Sequence, residues 1–90
     1  MVSFMRLAFA SNGIRSLSSL EAGECGEVLE VRAHSSGRTD RLLALGVTPG
    51  ASVTVLQTFP GVVFLCDQTE LAIERSVAGS ILVRIEESRS

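Results

Sequence analysis

Residues 41–50 read RLLALGVTPG, and this stretch decides how the chain folds. Leu42 and Leu45 are three positions apart, so in a helical turn they lie on one face. Gly46 suits the left-handed conformation that ends a helix, and Val47 can then contact Leu42. We therefore predict a short helix that closes one end of a core with Leu42 and Leu45.

A tight corner is predicted directly after this helix. Residues 48–51 (TPGA) place Pro49 second and Gly50 third, which is typical of a type II turn. At the other end, Thr39 or Asp40 can cap the start of the helix. The chain is thus expected to turn twice before it begins a new strand.

The rest of the chain shows the signals of short strands. Apolar runs and alternating patterns between turn residues mark about five strands, at 25–33, 52–59, 62–66, 71–73 and 81–85. Val28 and Val31 are an odd number of positions apart, so both face one side only if a bulge lies near Leu29. A further helical turn, ERSVA at 74–78, is expected to end at Gly79.

Short strands joined by tight turns favour an all-β fold. A small barrel is favoured over an open sheet, because closure removes exposed strand edges. The chain has 90 residues, which is the size of one domain. We expect an N-terminal tail at 1–14, the barrel domain at 15–86 and a C-terminal tail at 87–90.

The composition argues against several classes of function. The net charge is −2, the eight basic residues are scattered arginines, and Tyr and Trp are absent. Nucleic-acid-binding proteins need a basic surface and stacking side chains, so we expect no nucleic-acid partner. No apolar run approaches the ~20 residues that span a bilayer, so we expect no membrane-spanning segment. Two cysteines are too few for a disulfide-rich secreted module, which favours the cytoplasm.

The sequence contains a few residues of the types that bind metals or carry catalysis. Cys25, His34 and Cys66 are possible soft ligands, but their spacing matches no zinc motif. Free cysteines in strands usually act as small apolar residues, so we expect no metal site. No nucleophile with a base and no pair of carboxylates assembles from the pattern, so we expect no enzyme.

The outward side of the predicted helix is the candidate binding surface. Leu43 and Ala44 lie off its buried face and can form an exposed apolar spot beside Arg41. A single exposed leucine is also ordinary in a monomer. Arg41 can bond a partner's carboxylate, or it can bond a loop carbonyl or Asp40 within the chain. Both interpretations remain open on the sequence.

Three stretches, in order, resemble the FeoA family of small accessory proteins of bacterial ferrous iron uptake. They are LSSLEAGECGEV (17–28), RLLALGVTPGASVTV (41–55) and LAIERSVAGSILV (71–83). The second is the most specific, because it matches the family's Arg-Leu helix and Pro-Gly corner. The matching residues are Arg41, Leu42, Leu45, Gly46, Pro49, Gly50 and Val53. The resemblance covers about residues 16–85.

This resemblance implies an SH3-like barrel that is cytoplasmic and has no catalytic activity. The expected partner is FeoB, the membrane permease with a cytosolic GTPase domain, which the protein would bind and, in one interpretation, regulate. The alternative is a small iron or zinc carrier, or a metal-responsive SH3-like domain. The same fold occurs at the C-terminus of DtxR-type repressors, but we expect no helix-turn-helix domain in 90 residues.

Overall fold

The computed structural model describes residues 13–32 and 39–86, which form six strands, two short α-helices and one 3₁₀ turn. The elements are β1 (Ile14–Ser16), the 3₁₀ turn (Leu17–Ser19), β2 (Cys25–Val31), α1 (Thr39–Ala44), β3 (Ser52–Gln57), β4 (Val62–Cys66), β5 (Thr69–Ile73), α2 (Arg75–Ala78) and β6 (Ile81–Ile85). Five of these strands were predicted, and β1 is additional. Residues 1–12 and 87–90 of the predicted tails, and His34, lie outside the described residues.

All six strands belong to one antiparallel sheet, in the order β1-β6-β2-β3-β4-β5. The last of the described strands, β6, pairs with both β1 and β2. Along β2, Val28 lies opposite Val83 and Glu30 lies opposite Leu82, so Leu29 is an extra residue. The predicted bulge is therefore confirmed, and both the fully buried Val28 and the half-buried Val31 pack against the core.

The inner face of this sheet surrounds a single hydrophobic core. Its largest fully buried side chain is Phe64 of β4, and alternate residues of β3 and β4 are buried beside it. Leu17 from the 3₁₀ turn and Val77 from α2 complete the packing. The result is a small all-β fold, as the pattern predicted.

The helix and corner fold by their local chemistry. Val47 N–H donates to the Leu42 carbonyl at 3.0 Å, and Gly46 N–H donates to the Leu43 carbonyl at 3.1 Å. These two bonds form a Schellman motif, which requires the left-handed backbone that Gly46 adopts with φ of 99°. The predicted end of the helix is confirmed.

The corner is attached to the middle of β2. Ala51 N–H donates to the Thr48 carbonyl at 3.0 Å, and Gly50 has a φ of 96°, as a type II turn requires. Gly50 N–H donates to the Val28 carbonyl, and Val28 N–H donates to the Ala51 carbonyl, both at 2.8 Å. Pro49 and Gly50 therefore direct the chain into β3 while it stays bonded to β2.

Two details of α1 differ from the prediction. Leu42 is buried at 3% exposure, but Leu45 is 47% exposed, so the prediction that both leucines seal the core is wrong. The helix ends at Ala44, and the fully buried Val47 takes the place beside Leu42 that Leu45 was expected to fill. The helix also begins earlier than predicted, because it includes Thr39 and Asp40, the two residues expected to cap its start, and the capping interaction itself lies outside the described residues.

Candidate functional site

A groove of about 450 Å³ opens between α1, the end of β5 and α2. Its lining combines apolar side chains with one basic and one acidic residue. The lining residues are Arg41, Leu42, Leu45, Ala72, Ile73, Glu74 and Val77. Leu42 and Val77 are buried and belong to the core, whereas Leu45 is exposed in the groove wall. These groups can bind an apolar segment that also carries charge.

The residues of the predicted binding surface lie at or beside this groove. Arg41 is exposed and lines it. Leu43 is 47% exposed and Ala44 is also exposed, on the part of α1 that does not line the groove. Their predicted exposure is confirmed, whereas partner binding by these residues stays a prediction. Leu45, which helical spacing predicted to be in the core, is a further exposed apolar residue here.

The motif residues after α1 hold this surface in place rather than line it. The Gly46 carbonyl, at the end of the Schellman motif, accepts a hydrogen bond from the buried Cys66 thiol at 3.6 Å. The corner at Pro49 and Gly50 is bonded to β2. The end of α1 is therefore connected to two strands, β2 and β4.

A second exposed apolar spot lies on the β3–β4 hairpin. Phe59 is 78% exposed and Leu56 is 42% exposed. Arg75 Nη1 donates to the Thr58 carbonyl at 2.7 Å, which joins this hairpin to α2. Phe59 is not among the predicted site residues, although its position directly before the predicted turn at 60–61 places it at the tip of this hairpin.

The two cysteines do not come together. Cys25 lies opposite Thr54 and Cys66 lies opposite Val53, so the two side chains are on different faces of the sheet. Both thiols are free, and His34 lies outside the described residues. In residues 13–32 and 39–86, no three His, Cys, Asp or Glu side chains form a group that could hold a metal ion.

Cys25 and Cys66 should differ in reactivity. Burial, and secondarily the charge of Asp67, raises the pKa of the Cys66 thiol, and the thiolate is the form that reacts. In the native protein, Ellman's reagent should therefore modify the half-buried Cys25 promptly and Cys66 only after denaturation. Cys25→Ser should remove the fast reaction, and Cys66→Ser should leave it. Equal rates at the two thiols would contradict the burial of Cys66.

None of the helices in the described part of the chain has the length and apolar character that crossing a membrane requires.

Solved structures of known proteins share this fold. The solution NMR structure of the FeoA protein from Chlorobium tepidum is 33% identical, with a TM-score of 0.72 over 83% of this chain and 73% of that chain. A crystal structure of an iron uptake regulatory protein (FeoA) is 27% identical, with a TM-score of 0.71 over 81% of this chain and 97% of that chain. A comparison with curated proteins found no match.

A more distant likeness concerns the fold alone. The crystal structure of T. acidophilum IdeR is 20% identical, with a TM-score of 0.71 over 81% of this chain and 34% of that chain. Together with the FeoA structures it confirms the predicted SH3-like fold. The sequence model of the FeoA domain family matches residues 15–85, which is most of the sequence. The chain therefore belongs to the FeoA family, and this membership supports a role in ferrous iron transport.

Proposed function

We propose that this protein is a non-catalytic accessory protein of ferrous iron uptake that binds the cytosolic part of the FeoB permease in the cytoplasm. Membership of the FeoA family supports the link to iron transport. The observation that carries the binding step is the exposed apolar surface at the end of α1. Leu43 and Leu45 are two positions apart and each 47% exposed, and Leu45 lines the groove.

The proposed contact, called the docking face below, consists of Arg41, Leu43, Ala44 and Leu45. Exposed apolar side chains that form one patch mark interaction surfaces more often than scattered ones do. Arg41 adds a guanidinium group whose planar fork matches a carboxylate on a partner. An arginine beside leucines provides both specificity and apolar contact area, as the energetic centre of an interface requires.

Changing the docking face should weaken permease binding without unfolding the protein. Arg41→Glu and Leu43→Asp should each reduce affinity more than tenfold, which is about 1.4 kcal/mol. Both side chains are exposed, so the melting temperature should stay near that of the wild type. Calorimetric titration with the purified cytosolic part of the permease measures the affinity, and thermal melts measure the stability.

Matched controls place the same changes elsewhere on the surface. Arg84→Glu on β6 and Leu56→Asp on β3 alter exposed residues outside the docking face, and they should bind like the wild type. Unchanged affinity in both the Arg41 and Leu43 variants would contradict the docking face. If the wild type bound neither the cytosolic part nor the full-length permease, the proposed partner would be wrong.

The carrier alternative makes a different prediction about metals. We expect EDTA to leave the melting temperature unchanged, because the described core is apolar and the protein's two cysteines face different sides of the sheet. Thermal melts with and without EDTA, and native mass spectra of the purified protein, test this expectation. A loss of several degrees on chelation would mean that a bound ion contributes to folding, and the carrier hypothesis would then be favoured.

A further inference from the structure

β5 is an outer strand of the sheet, and within residues 13–32 and 39–86 no strand pairs with its outer edge. This edge runs beside the groove, because Ala72 and Ile73 contribute to the lining. Main-chain groups along the free edge of a sheet can pair with another extended chain. The groove and the edge together therefore form a site for a strand as well as for side chains.

The register of the β4–β5 hairpin shows which groups of β5 point outward. The two strands are joined by a two-residue turn at 67–68, so the pair that closes the turn is hydrogen-bonded and later pairs alternate. Leu71 and Ile73 therefore bond to β4. Glu70 and Ala72 direct their N–H and C=O groups to the outer edge, and both residues are exposed.

The side chains of an added strand would meet the apolar lining. Ile73 is half-buried and packs against the core, so it points to the same side of β5 as Leu42 and Val77. A strand that pairs at Ala72 would place every second side chain on that side, where Leu45 is exposed. Alternating apolar residues are thus the pattern that the groove accepts.

The acidic residues along this edge favour a partner segment that carries basic residues. Residues 67–73 contain two acids, Asp67 and Glu70, and no basic residue. Both are exposed. An arginine or lysine beside the apolar residues of the added strand would meet complementary charge, which guides association and fixes the register of the pairing.

We propose that β5 binds an extended, basic segment of the permease's cytosolic part as an added strand. Alternate apolar side chains of that segment lie in the groove, and a basic side chain lies beside Glu70. The inference rests on the proposed function and specifies how the partner binds. It predicts that main-chain pairing at Ala72, and not only side-chain contact, is needed for affinity.

A pair of substitutions at Ala72 isolates the main-chain contribution. Ala72→Pro removes the outward N–H but no bond to β4, and proline is tolerated on edge strands. Ala72→Val keeps the N–H and serves as the matched control. Overlapping twelve-residue peptides covering the cytosolic part of the permease are screened by fluorescence polarisation, and the tightest binder is titrated into each variant. We expect Ala72→Pro to bind the peptide at least tenfold more weakly than Ala72→Val, which changes the side chain and keeps the N–H.

Hydrogen exchange tests the same pairing in the wild type, should Ala72→Pro fail to fold. The bound peptide should slow exchange of the Glu70 and Ala72 amides at least tenfold, because those groups become paired. The amides of Leu71 and Ile73 are already bonded to β4 and should change less. Equal peptide affinity in both variants, or unchanged exchange at Glu70 and Ala72, would overturn the strand-addition inference.

The remaining outcomes separate this inference from the proposed function. If the intact cytosolic part binds but none of its peptides does, the added strand is wrong and the proposed function stands. If neither binds, both are wrong. Sedimentation analysis tests whether a second copy of the protein occupies this edge. If the wild type is a dimer and Ala72→Pro is a monomer, β5 pairs with β5 of a second copy, and the inference is overturned.

Discussion

Leu42→Ala should lower the free energy of unfolding by about 2–4 kcal/mol, whereas Leu45→Ala should cost less than about 1 kcal/mol. The two leucines are three positions apart, but Leu42 is 3% exposed and Leu45 is 47% exposed. Removing a buried side chain loses transfer free energy and leaves a cavity, and Leu42 also packs beside the buried Val47. A domain of this size loses about 4–8 °C of melting temperature per kcal/mol. The Leu42 variant should therefore melt at least roughly 8 °C lower.

Urea denaturation of the two variants measures this difference directly. Leu43→Ala is the matched control, because Leu43 has the same 47% exposure as Leu45 and follows Leu42 in the same helix. All three variants make the same chemical change within four positions. Similar losses at Leu42 and Leu45 would restore the original expectation of two buried leucines and would remove Leu45 from the docking face.

Gly26→Ala should destabilise the protein by about 3 kcal/mol or more, the upper range for an overpacked core. Gly26 is buried in β2 against β6. A Cβ at this position would lie closer than 3.0 Å to the Arg84 carbonyl oxygen and to Val83 Cγ1. The carbonyl is main chain within a paired strand, so it cannot rotate away as a flexible side chain would.

Gly79→Ala is the matched control for this clash. Gly79 has a φ of −66°, which alanine adopts freely, and the nearest atom to a new Cβ is the Ser76 carbonyl oxygen at 3.4 Å. The same substitution should therefore change stability by less than about 1 kcal/mol there, and in the stabilising direction. Denaturation curves of both variants give the comparison. Wild-type stability in Gly26→Ala would mean that β2 and β6 are farther apart at Gly26.

The parts of the fold that the sequence predicted are those with local causes. The helix end at Gly46 and the corner at Gly50 follow from backbone conformations that glycine favours. The bulge at Leu29 follows from the odd number of positions between Val28 and Val31. β1 was missed because its three residues, Ile14–Ser16, are too few to show a pattern, and only their pairing with β6 makes them a strand. Tertiary contact, not propensity, creates that element.

The candidate site could be predicted from the sequence only in part, because the groove depends on tertiary contacts. Arg41 and Leu43 could be placed on the outside of α1 from helical spacing alone. The groove could not, because it forms where α1 meets Ile73 and Val77, which are about thirty positions away in the chain. Leu45 was misassigned because spacing of three predicts a shared helical face, whereas its burial depended on where the helix ends and on Val47 beside it.

The position of β6 has a consequence for how the protein is made. β6 is the last strand in chain order, yet it lies between β1 and β2 in the sheet. While the ribosome is still synthesising residues before 81–85, neither β1 nor β2 has this shared partner, and core side chains such as Val28 stay uncovered. Unpaired strand edges and exposed apolar surface promote aggregation. The nascent chain is therefore vulnerable to aggregation until β6 emerges, because β2 to β5 can pair with one another before then, whereas β1 can join the sheet only through β6.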